Sequence, residues 1–160
     1  MQLRFTKLDD RRHVLEVRCG ERSERAELET RSTLHHDFTH LAVEELAPVD
    51  SGFFTALARG TTLAELASRA KEGTFDPVAM QVERAVAVLQ GLTRKDEEPH
   101  VLHARIVESL AVQQDAPPTW FTPDFVAAVR ARLHHLLGRW RATPYGGVME
   151  VSWDRREPDA

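Results

Sequence analysis

Cysteine is almost missing from this chain of 160 residues, in which Cys19 stands alone. A lone thiol closes no internal disulfide and cannot build a thiolate metal site, so stapled secreted scaffolds and zinc ribbons are both excluded. Lysine is nearly as scarce, since Lys7, Lys71 and Lys95 are the only ones among 21 basic residues. Against 25 acidic residues these leave a formal net charge of -4, which offers a phosphate backbone no global field and disfavours nucleic acid as a partner. Long apolar runs are lacking too. None approaches the ~18 residues of a membrane span, and charges throughout the N-terminal segment interrupt any secretory signal. The expectation is a cytoplasmic protein with no membrane partner. Its arginine-rich, alanine-rich composition suggests a bacterial source.

What is present is globular in proportion, with 42% hydrophobic and 29% charged residues. A chain of this length can bury roughly 70% of its unfolded surface, so one domain over residues 1–160 is expected, with 154–160 as a polar tail. There is no internal repeat, phosphate-binding glycine loop, dinucleotide fingerprint or G-x-S-x-G elbow.

The two structural periods divide the chain. Alternation over residues 2–8, an Asp9-Asp10-Arg11 turn, the β-branched run 13–19, a break at Gly20 and a polar run 24–29 predict an antiparallel meander. A further alternating segment, 148–153, is expected to return to that sheet, because a lone strand is not stable. Between them lie helical patterns. Residues 34–47 predict a helix capped by Ser32 or Thr33, with Leu34, Phe38, Leu41, Ala42 and Leu46 facing the core and Glu45 unexplained inside that arc. Thr61 or Thr62, Asp76-Pro77, Pro99 and Thr122-Pro123 mark four more helix starts, while 53–57 reads only as a short apolar segment. Phe125, Val129, Leu133, Leu136, Leu137 and Trp140 give the last helix a strong core stripe. The fold class is therefore α+β, a small antiparallel sheet covered by four or five helices.

One constellation carries chemistry. His36-Asp37-Phe38-Thr39-His40 is H-D-x-x-H, and Glu44 lies four residues beyond. On a helix, positions 36, 40 and 44 share a face, so two imidazoles can converge on a divalent ion such as zinc. Glu44 is then a third ligand or a group that holds a ligand in place. Asp37 occupies the position of the general base in the H-E-x-x-H motif, one methylene shorter, and either orients an imidazole or serves as base. Chance alone supplies roughly 0.4 H-x-x-x-H pairs at this histidine content, so the two carboxylates are what sharpen the pattern. The bland alternative is a pair of structural histidines at the helix edge, bonded to the sheet or to Asp37 and Glu44.

The H-D-x-x-H helix followed by Val43-Glu44, together with Trp140, Pro144, Gly146-Gly147 and a strand ending in Trp153, resembles an uncharacterised bacterial protein family. The resemblance spans roughly residues 34–57 and 137–153 and implies the architecture, with no established activity attached. Two better-known patterns depart from this chain. In a family of ubiquinone-biosynthesis proteins the glutamate that follows H-D-x-x-H would fall on Gly52, and the second-helix glutamate of gluzincin-type peptidases would have to be the distant Glu65.

Weaker candidates are His100-x-x-His103 as a surface metal pair, His134-His135 as edge histidines of the last helix, and Cys19 as a packed thiol. Arg130, Arg132, Arg139 and Arg141, extended by Arg11 and Arg12, form a local basic patch that reads first as a solvated face. Two function classes follow: a metal-binding protein, with hydrolysis as its natural chemistry, and a non-catalytic interaction module. A homo-oligomer is compatible with either.

Overall fold

The computed structural model describes residues 1–92, 97–112 and 116–154. Three strands form first, β1 (Gln2–Lys7), β2 (Arg12–Cys19) and β3 (Arg22–Glu29), and β4 (Val148–Ser152) closes the sheet in the order β3-β2-β1-β4, every pair antiparallel. The return of the C-terminal strand is as expected, with Leu3 opposite Val151 and Phe5 opposite Met149. Inward residues Leu3, Phe5, Leu15, Val17, Met149 and Val151 are all buried. On the outer face Arg4 stands between Glu16 and Glu150 in the register, and it bonds both at 3.1 and 3.0 Å. β3 is an edge strand, and its charged residues discourage pairing with another chain.

Six helices follow among the described residues: α1 (His35–Leu46), α2 (Phe53–Ala58), α3 (Leu63–Glu72), α4 (Pro77–Leu92), α5 (Pro99–Val112) and α6 (Pro123–Ala142). The α+β class therefore holds, and the helix beyond the expected five is α2, too short for periodicity to separate it from a loop. Three starts are capped as the sequence predicts. Thr62 and Glu65 form a reciprocal capping box, Asp76 accepts from the amides of Val78 and Ala79, and Thr122 accepts from Phe125. The entry to α1 differs. A π-helical turn over Thr30–Leu34 precedes it, and the carboxylate of Glu29, rather than Ser32 or Thr33, accepts from the amides of Arg31 and Ser32.

The register of α1 also differs from a one-sided stripe. Every residue from Asp37 to Glu44 is buried, whereas Leu46 is 40% exposed. The cause is that α1 is enclosed. It packs against α4 and α6, contacts α2, and sets Phe38 edge-on to Phe5 of the sheet at 5.1 Å between ring centroids. Glu45, puzzling in the sequence, is exposed and accepts from Arg132 Nε at 2.8 Å. Most of the charged connection expected at 94–98 and the tail beyond residue 154 lie outside the described residues.

Candidate metal centre

The buried stretch of α1 places His36 and His40 one turn apart, their rings edge to face at 4.6 Å between centroids. α4 packs alongside and brings Glu83 to them. One donor atom from each of His36, His40 and Glu83 lies within 4.8 Å of the others. His40 Nε2 to Glu83 Oε2 is 3.4 Å, the edge of a tetrahedron with metal bonds of about 2.05 Å.

Both imidazoles are oriented through the same ring nitrogen. His36 Nδ1–H donates to Gln90 Oε1 at 3.0 Å, and His40 Nδ1–H donates to Glu44 Oε1 at 3.0 Å. Each bond occupies Nδ1 and leaves Nε2 as the nitrogen to coordinate, which is how metal-bound histidines are commonly held, and at His40 a metal would displace the proton that faces Glu83. Glu44 therefore stands on the far side of His40 from Glu83. Its carboxylate is fully buried and also accepts from the amides of Phe54 and Thr55 and from the Thr55 hydroxyl. In this arrangement Glu44 holds His40 in place.

The electrostatics follow from burial and these contacts. Burial alone would depress His40, but its hydrogen bonds to Glu44 and Glu83 override that and hold it at about 9. Burial lowers His36, assisted by the neighbouring His40 ring. Burial acts on Glu83 in the opposite sense, yet the contact with His40 leaves its carboxyl below the ordinary range. Asp37 is pushed up to about 7 by burial, against the pull of His40. It is 8% exposed, and its Oδ2 has no hydrogen-bond partner.

His36, Asp37, His40, Phe53 and Glu83 all border a cavity of about 330 Å³, whose remaining walls come from β2, β3, α3, Thr33 and Phe75. The cluster is thus reachable by a small molecule. Three protein donors beside a cavity leave positions open on an ion, a feature of catalytic rather than structural zinc sites.

Sequence reasoning missed Glu83 and Gln90. They lie seven residues apart on one side of α4, flanking the buried Val82, Val86 and Leu89. A glutamate and a glutamine bordering a core stripe are a weak signal, and no spacing links them to α1.

The other candidates do not assemble. His103 Nε2–H donates to the Phe121 carbonyl at 2.8 Å, and His100 is exposed. His134 and His135 are both exposed, and the Cys19 thiol faces the Leu57 carbonyl at 3.8 Å. The basic patch is largely engaged, with Arg132 on Glu45, Arg139 on the Glu150 carbonyl, Arg130 on the Glu97 carbonyl, and Arg12 on Asp9 and Glu27. Among the described residues no helix is long and apolar enough to cross a membrane.

No protein-family model matches this chain, and neither a curated protein nor a solved structure matches it.

Proposed function

We propose that the protein binds a divalent transition metal such as zinc through His36, His40 and Glu83, and that it does so in the cytoplasm. The observation that carries this reading is the convergence of the three donors within 4.8 Å, with both histidines oriented through Nδ1 by oxygen acceptors. Hydrolysis is the chemistry this donor set favours. An ion there would polarise a carbonyl or activate a water, and Asp37, bordering the same cavity with an unpaired oxygen, is the base for that water. The resemblance to an uncharacterised bacterial family is compatible with this reading and adds no activity to it.

A second reading has one observation in its favour. His40 is bonded to Glu44 through one nitrogen and lies against Glu83 through the other, so a proton on Nε2 could take the place of a metal and make the triad a structural clamp. The protein would then be a non-catalytic module. Equilibrium dialysis against zinc, manganese and iron, followed by elemental analysis, separates the two. About one ion per chain in the wild type, with loss of uptake in folded His36→Ala and Glu83→Gln variants, supports the metal reading. A folded wild type that takes up none of the three ions overturns it in favour of the clamp.

A further inference from the structure

The cavity beside the cluster has a two-part lining. His36, His40 and Glu83 meet at one place on it, with Asp37 adjacent on α1, while Leu15, Ala26 and Leu28 of the sheet, Leu63 and Leu66 of α3, and Phe75 make the rest apolar but for Thr33. The α3 contribution is a stripe at helical spacing, since positions 63, 66, 67 and 70 all border the space. That stripe joins the core through Leu66 and Leu63, while Ala67 and Ala70 are exposed beside the cavity. At 330 Å³ the space is roughly twice the ~150 Å³ that holds a benzene molecule. Taking about 30 Å³ per non-hydrogen atom, the share of a water in the liquid, it accommodates about eleven such atoms.

A separate observation concerns Asp37. Its Oδ2 is buried on the border of this cavity without a hydrogen-bond partner from the protein, and a buried acceptor of this kind is normally met by a water, an ion or a ligand.

We propose that the cavity binds a small amphiphile whose aliphatic tail lies along the α3 stripe and whose head carries a metal-ligating oxygen next to an N–H or O–H donor for Asp37 Oδ2. The head rests on the metal reading above, whereas the tail and the donor rest on the cavity and on Asp37 alone. Pockets of this size with mostly apolar walls and a few convergent polar groups are the usual form of a small-molecule site. A long hydrophobic acyl group on a hydroxamate, amide or hydroxy acid has the required pattern.

Octanohydroxamic acid, with about eleven non-hydrogen atoms, tests the idea by calorimetric titration against zinc-loaded and metal-free protein, zinc uptake having been measured first with the metal alone. The expected result is binding to the zinc-loaded protein at least about 100-fold tighter than acetohydroxamic acid, because the six extra methylenes become buried. Ala67→Trp fills the stripe from an exposed position of α3, where folding is little affected. It should weaken the octanoyl compound about 10-fold or more and leave zinc uptake unchanged. Octanoate, which lacks the donor, should bind more weakly than the hydroxamate, and Asp37→Ala should narrow that gap. Zinc uptake without any dependence on tail length would overturn the amphiphile and leave the metal reading intact. Tail-dependent binding that Ala67→Trp abolishes, in a protein that takes up no zinc, would overturn the metal head and keep the cavity assignment.

Discussion

Glu44 and His40, one turn apart on α1, share a 3.0 Å hydrogen bond in which neither side chain is more than 3% exposed. The same glutamate accepts from two backbone amides and a hydroxyl at the start of α2, so one buried carboxylate joins the histidine to the neighbouring helix. Removing it leaves several buried donors unmet. Glu44→Ala is expected to destabilise the fold by about 3–5 kcal/mol, the usual cost of breaking a buried charged network. Glu44→Gln keeps the shape and should cost less, while weakening zinc affinity about 10-fold to 100-fold by loosening His40. Urea unfolding and zinc titration of the two variants check both outcomes.

Glu45 provides the contrast. Its bond to Arg132 is 2.8 Å, but both side chains remain partly exposed, at 37% and 25%. Solvent screens such a pair, and Glu45→Ala should lower stability by less than about 1 kcal/mol and leave zinc binding unchanged. A loss comparable to that of Glu44→Ala, measured under the same urea conditions, would contradict the burial assigned to these two neighbours.

These adjacent glutamates also show where sequence reading stops. The sheet was legible because alternation and turn residues are local, and because β4 needs a partner that only the N-terminal meander supplies. The caps of α3, α4 and α6 were legible for the same reason. A stripe analysis, however, assumes one dry side, and α1 is enclosed by the sheet, α2, α4 and α6, so periodicity could not choose between Glu44 and Glu45. The histidines were legible as a helical pair. Glu83 was not, since its place beside His40 arises from the packing of α1 on α4, which no local spacing encodes.

Gly52 has a positive φ of 145° and lies against the end of Glu44. A Cβ there would fall 2.8 Å from Glu44 Cγ and closer still to the carboxyl group. The end of a glutamate usually swings aside easily, but this one is pinned by its hydrogen bonds to His40, Phe54 and Thr55. Backbone strain adds to the overlap, because a side chain rarely adopts that φ. Gly52→Ala should therefore cost about 2–4 kcal/mol and weaken zinc uptake in parallel. Thermal melts and metal analysis of the variant test whether the two losses travel together.

His13 offers a test that is independent of the metal centre. It is fully buried, lies edge-on to Trp140 at 5.8 Å, and shares a hydrogen bond with Thr30 Oγ1 at 3.1 Å. Burial holds its pKa at about 4, against an ordinary 6.5, and the nearby Glu29 charge only partly opposes this. Between those two pH values the unfolded chain binds a proton that the folded chain refuses, so the contribution of His13 to stability is complete above pH 6.5 and is lost as the pH falls towards 4. At about 1.4 kcal/mol per pH unit the gap is worth up to about 3 kcal/mol. Asp37, whose pKa is raised from 3.8 to about 7, slopes the other way over the same range, so the wild-type curve alone does not isolate the effect. The difference from a variant does. His13→Phe keeps an aromatic ring beside Trp140 but cannot take a proton, so relative to wild type it should gain stability progressively between pH 7 and pH 4. A difference between the two proteins that stays flat across that range, in paired urea titrations, would mean that His13 is protonated in the fold and that its burial is compensated by Glu29.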